Sequence, residues 1–224
     1  MSYSSRLSTT ELIDLLISFI ILTIAFSMIR SGGRFDLRPD NFLVSGLGVG
    51  TGFLLHEMAH KFVAMRYGYK AEYKAWYTGL ILTLLMSFIG FIIALPGAVM
   101  ISKPAYRESM HSYNESDDAY WDHLERKVGN EELWISLAGP ITNIILAAFF
   151  FALLESGLAM SALLGFAVYY AMYINLILAA FNLIPIGPMD GLKIFRGNAI
   201  VWVVVAVPTI LVALGFMFGI ISIF

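Results

Sequence analysis

The stretch FLVSGLGVGTGFLLHEMAHKFVAMR, residues 42–66, decides the fold class of this chain. No residue from Asn41 to Leu55 is charged, and the apolar character resumes after Lys61 as far as Met65. A bilayer core about 30 Å thick takes about 20 mostly apolar residues in helical form, so the stretch reads as a membrane span. Yet its interior holds His56-Glu57-Met58-Ala59-His60. Ionisable groups are costly at such a depth and point to function by default. Positions i and i+4 of a helix stand one turn apart on one face, so His56 and His60 can reach one Zn²⁺. Glu57 points to the side of that face. There a carboxylate can take the proton of an attacking water and pass it to a leaving amine.

The rest of the chain agrees with a membrane setting. Its 224 residues are 59% apolar and 13% charged, with a mean hydropathy of +0.79. A soluble domain carries about 25% charged residues, so a soluble enzyme, a secreted disulfide scaffold and a disordered chain are excluded. A net charge of −2 leaves no nucleic-acid footprint. Cysteine is absent, so any metal must be held by His, Asp or Glu. The reading is an all-α membrane protein, a polytopic bundle of five to six hydrophobic spans with a short re-entrant or strand element near 76–101. It forms one integral-membrane domain over 1–224, with its core at 42–192 and a polar extramembrane loop at 103–132. That loop holds eight acidic and four basic residues.

The segment 76–95 sets the topology. It is hydrophobic enough to cross and is followed by Pro96-Gly97-Ala98-Val99-Met100-Ile101, which reads as a turn and short strand. Leaving out Lys61, which lies within a span, thirteen Lys/Arg are in or near loops. A full crossing divides them 4 and 9. A dip and return divides them 10 and 3, with only Arg30, Arg34 and Arg38 on the sparse side. Lys/Arg excess marks the cytoplasmic side, so the more lopsided division favours the return. The expected protein is multi-pass, with the ends of the second and fifth spans together on the cytoplasmic side.

A catalytic zinc has three protein ligands and one open position. Besides the two histidines, Glu155 at a span end and Asp190 are the candidates. Asp190 follows a span in Asn182-Leu183-Ile184-Pro185-Ile186-Gly187-Pro188-Met189-Asp190-Gly191, where two prolines break the helix. By itself Asp190 could be a simple turn residue; beside the His motif it reads as the third ligand.

HEMAH within a span, then Asn-x-x-Pro and Asp-Gly after a later span, resembles the site-2 protease family of intramembrane zinc metalloproteases. Ala138-Gly139-Pro140-Ile141-Thr142-Asn143 resembles that family's Ala-Gly-Pro-x-x-Asn, and Pro96-Gly97-Ala98-Val99 its Pro/Gly-rich strand. The resemblance covers about 42–192. It implies one Zn²⁺ per chain, held by His56, His60 and Asp190, with Glu57 as general base. Asn182 is implied to hold substrate or stabilise the oxyanion, a role a side-chain amide can fill. Asn182 also suits interhelical hydrogen bonding. The implied substrates are transmembrane or membrane-associated proteins, and the implied site opens towards the cytoplasmic side, in agreement with the charge count. The rivals are a non-hydrolytic, partner-binding relative with a structural zinc and a divalent-metal transporter. An intact Glu57 speaks against the first. The near-absence of polar relay residues from the other spans speaks against the second.

Among lesser features, Gly46/Gly50 and Gly48/Gly52 form G-x-x-x-G pairs suited to close helix packing. Gly215/Gly219 form another pair that suits packing or dimerisation, which leaves a homo-oligomer open. His111 and His123 fit no ligand spacing and read as solvated. Tyr73, Trp76 and Tyr77 read as interface anchors, and Lys61 as a side chain snorkelling to headgroups.

Overall fold

The computed structural model describes residues 7–34, 38–102, 118–158 and 161–221, with the side chains of 118–128 outside the description. Seven helices and one small sheet appear among these residues. Helix α1 (Thr9–Arg30) starts at Ser8, whose hydroxyl accepts from the Glu11 amide at 3.2 Å. At 1.5 Å per residue its 22 residues span about 33 Å, enough to cross a bilayer core. Helix α2 (Pro39–Arg66) opens with proline at its first position, where no intrahelical N–H is needed.

After a turn at Tyr67–Tyr69 come strand β1 (Lys70–Ala75), helix α3 (Tyr77–Ser87) and strand β2 (Gly97–Ser102). The long helix α4 (Asp118–Glu155) follows, then α5 (Ala162–Asn182), the short α6 (Asp190–Gly197) and α7 (Ala199–Met217). Helices α1, α2, α5 and α7, with residues Gly129–Glu155 of α4, are the five that are long and apolar enough to cross.

The segment 76–95 goes out and comes back. Helix α3 has 11 residues, about 16 Å, too short to cross. Gly90, at φ +81°, turns the chain, and Trp76 N–H donates to the Pro96 carbonyl at 2.9 Å. Strands β1 and β2 then pair antiparallel with Ala75 opposite Gly97. Both ends of the segment therefore meet at one place, as the charge count predicts. Strand β1 was not foreseen. The expected polar loop 103–132 is also shorter than read, because α4 already begins at Asp118. His111 lies outside the described residues, as does the His123 side chain.

Helix α5 is the central post. Against α1 and α2 it buries Leu22, Phe26, Val49, Phe53, Ile174 and Leu178; against α4 and α7 it buries Ala147, Phe150, Met172 and Ala213. Gly48 and Gly52 face it so closely that a Cβ at Gly52 would lie 2.9 Å from Leu178 Cδ1. That pair packs as expected. Gly215 of α7 is also closely packed, a Cβ there falling 2.6 Å from Ile221 Cδ1, whereas Gly219 (φ +68°) lies past the helix end. Large apolar side chains such as Leu43, Phe62, Ile145 and Leu211 cover the outside. In lipid such an exterior carries no penalty.

Lys61 differs from its reading. It is 5% exposed and pairs inside the bundle with Glu11, at 2.6 and 2.5 Å to the two carboxylate oxygens. Tyr73 is likewise buried rather than interfacial, its hydroxyl donating to Pro96 O at 2.8 Å.

Candidate metal centre

Helix α2 contains a π-turn, Gly50–Leu54, directly before the histidine motif. Such a turn inserts a residue and re-aims the face that follows, and it often marks functional sites. Asn175 of α5 steadies this one by donating to Thr51 Oγ1 at 2.9 Å. His56, Glu57 and His60 are thereby all buried, on the side of α2 that meets α4.

Asp190 arrives at the same point as the first residue of α6. Pro185 and Pro188 prevent α5 from continuing, and Gly187 (φ +58°) turns the chain back. Gly191 permits the final approach. A Cβ there would run into the backbone at Leu183 and come within 2.6 Å of Ile184 O, so only glycine lets α6 begin this close to the end of α5. Burial by itself would raise the Asp190 carboxyl pKa. The adjacent His60 and His56 outweigh it and hold the group well below the usual carboxylate range. Lys193 adds a cation 3.8 Å from its other oxygen.

His60 Nε2 is 3.1 Å from His56 Nε2 and 3.0 Å from Asp190 Oδ2, and His56 Nε2 is 3.4 Å from Asp190 Oδ2. Donors bound tetrahedrally to zinc at 2.0–2.1 Å stand about 3.3 Å apart, so the triangle has the size zinc requires. Only this group of three potential ligands is drawn together among the described residues. Glu155, the other sequence candidate, lies exposed at the end of α4. His60 Nδ1 is 2.7 Å from the Ile135 carbonyl, an arrangement that places the proton there and leaves Nε2 free to ligate. Gly139 completes the cradle. A Cβ added to it would fall 2.5 Å from His56 Nε2 and closer still to His60 Nε2, inside the space an ion needs. Two histidines, one carboxylate and a glycine-lined space suit zinc.

Glu57 stands apart from the three donors, and its Oε2 is buried without a protein hydrogen bond. The Val99 amide of β2 is within hydrogen-bonding reach of this carboxylate. The pairing register explains why. On the β1 edge turned away from β2, Tyr73 N–H donates to Glu11 at 3.0 Å and Ala75 N–H to Asp14 at 3.1 Å. Acids of α1 thus occupy one edge of the hairpin, and the opposite edge, at Gly97, Val99 and Ile101, faces the metal centre. Asn182, at the end of α5, lines the same cleft.

Pro140 lies in α4 one turn beyond Ser136 and removes the intrahelical donor to the Ser136 carbonyl, and Ser136 too lines the cleft. Tyr69, which donates to the buried Glu131 at 2.7 Å, closes one side. None of Glu11, Asp14, Tyr69 or Val99 was picked out as a site residue from the sequence. For Glu11 and Asp14 the available signal was two acids near the start of an otherwise apolar span.

Fold and site together define a multi-pass helix bundle with a buried histidine–carboxylate group that could hold a metal ion, beside the Glu57 carboxylate. The profile of Peptidase family M50 matches residues 45–164. The chain is 37% identical to "Putative zinc metalloprotease MJ0611" of Methanocaldococcus jannaschii over 214 residues, 95% of this chain and 97% of the relative. It is 28% identical to "Putative zinc metalloprotease YwhC" of Bacillus subtilis over 152 residues, 64% of each chain. It is 27% identical to "Putative zinc metalloprotease Rip3" of Mycobacterium tuberculosis over 145 residues, 64% of this chain and 28% of the relative. No solved structure matches it. The chain belongs to peptidase family M50, the site-2 protease family of zinc metallopeptidases.

Proposed function

We propose that this chain hydrolyses peptide bonds of transmembrane or membrane-associated protein substrates at a site opening to the cytoplasmic side. The observation that carries this reading is the meeting of His56, His60 and Asp190 with Glu57 in one cleft built from membrane helices. Zinc, when held by those three side chains, supplies a Lewis acid that polarises the scissile carbonyl and acidifies water. Glu57 accepts the proton of the attacking water and returns it to the leaving amine. Val99 orients the Glu57 carboxylate through its amide, and the Asn182 side-chain amide donates to the oxygen on which negative charge develops.

The cleft's polar side, with Tyr69, Glu132, Ser136 and Lys193, gives water its route. The hairpin and α6 lie on the side that carries most of the loop Lys and Arg, which supports the cytoplasmic opening. A helical substrate must unwind locally, since its carbonyls are otherwise hydrogen-bonded along the helix. Helix-loosening residues near the cleaved bond follow. His56, Glu57, His60, Val99, Asn182 and Asp190 all sit within 42–192, which supports treating that stretch as the core of a single domain.

Purified protein in detergent is to be compared with Glu57→Gln on a membrane-spanning substrate carrying a glycine near one end. Cleavage by the natural chain and none by a variant of equal zinc content is expected. Equal cleavage by both would refute Glu57 as the base.

A further inference from the structure

Two cavities of nearly equal size, about 390 and 400 Å³, flank Glu57. Both are lined by His56, Glu57, Gly97, Ala98, Met100 and Asn182, so they are two compartments of one cleft that join at the catalytic carboxylate. Their other walls differ. The first is the more polar of the two, with His60, Tyr69, Glu132, Ser136, Asp190 and Lys193 among its walls. The second is walled by Phe53, Trp76, Leu95, Leu178, Phe181 and Met189, with exposed Lys74 at its edge.

These walls are tied to the chemistry. Phe53 precedes Glu57 by one helical turn, Phe181 adjoins Asn182 and Met189 adjoins Asp190. Whatever fills the apolar compartment therefore lies directly beside the reacting atoms. Phe53 is also held in place, packed edge-on against the buried Tyr73 ring at 5.6 Å. A fixed apolar pocket with a few polar groups at one side is what small-ligand and side-chain recognition uses.

We propose that this compartment is a specificity subsite that receives one large apolar side chain of the substrate, of leucine or phenylalanine size, next to the bond that is cut. The polar compartment receives the flank on the other side of that bond. The inference rests on the hydrolytic reading above and adds a substrate rule: cleavage falls where a bulky apolar residue is followed or preceded by a polar stretch. Discrimination in an apolar pocket amounts to about ten- to a hundredfold between a large and a small side chain.

The test uses binding, not turnover. Peptide hydroxamates, which chelate zinc, are made with Ala, Leu or Phe beside the chelating group and titrated against the zinc-loaded full chain carrying Glu57→Gln. Leu and Phe compounds are expected to bind about ten- to a hundredfold more tightly than the Ala compound. In the same background, Ala94→Phe narrows the compartment and is expected to remove that preference while the Ala compound binds as before. Trp76→Ala, at a half-exposed position, opens the pocket and is expected to weaken the Leu and Phe compounds alone. Equal binding of all three compounds, with zinc bound, would overturn the subsite and leave the metallopeptidase reading standing. No binding beyond that of zinc-free protein would overturn the hydrolytic reading, and the subsite with it.

Discussion

Replacing Lys61 by Met is expected to destabilise the bundle through Glu11, 50 residues away in sequence. The two side chains are 5% and 2% exposed, so neither charge is relieved by water. The Lys61 ammonium holds both Glu11 oxygens, one of which also accepts from Tyr73 N–H at 3.0 Å. In Lys61→Met the carboxylate keeps that one backbone donor and loses its counter-charge. Removing one partner of a buried pair costs about 3–5 kcal/mol, whereas replacing both by neutral groups is often close to neutral. Glu11→Gln retains an acceptor for Tyr73 but strands the ammonium. The double variant, Glu11→Gln with Lys61→Met, is therefore expected to be more stable than either single one. Reversible unfolding in mixed micelles over a denaturing-detergent gradient gives the three free energies. A coupling of about 2 kcal/mol or more is the expected result. Single variants that each cost under about 1 kcal/mol and add within about 0.5 kcal/mol would refute it, for that is how a solvated pair behaves.

Other perturbations probe the centre itself. Gly139→Ala places a methyl among the ligating nitrogens and is expected to lower bound zinc well below one per chain while leaving the fold intact; elemental analysis beside circular dichroism decides. Asp190→Asn removes the charged ligand and is expected to weaken zinc retention at least tenfold, measured by competition with a chelating dye. Tyr69→Phe leaves the buried Glu131 without the hydroxyl that donates to it at 2.7 Å, with an expected cost of about 1–3 kcal/mol in the same unfolding assay.

Much of the site was legible because its chemistry is local or depends on residue types that membrane spans otherwise avoid. The spacing of His56 and His60 is a helical turn, and the metal triangle follows from it once a carboxylate arrives. Asp190 could be weighed because so few acids border the apolar runs. The return of 76–95 was readable from loop charges, since lipid makes charge placement a topological marker.

What escaped reading depends on contacts between distant segments. Lys61 looks the same in sequence whether it reaches headgroups or an acid 50 residues earlier. The cradle at Gly139 is visible only when α4 lies against α2, and the need for Gly191 only when α6 touches the end of α5. The π-turn at 50–54 leaves no periodic signal, being one inserted residue. Strand β1 is a different case. Lys70-Ala71-Glu72-Tyr73-Lys74-Ala75 alternates charged with uncharged residues at period two, a strand signature that was present and outweighed by the surrounding helices.

The central claim, that His56, His60 and Asp190 together hold one zinc, is tested most directly by zinc-edge X-ray absorption on the purified chain. Stoichiometric zinc bound by two imidazoles and carboxylate oxygen, with one imidazole lost in His60→Ala, is the predicted result. Zinc that is substoichiometric, or a spectrum unchanged by removing His60, would contradict it.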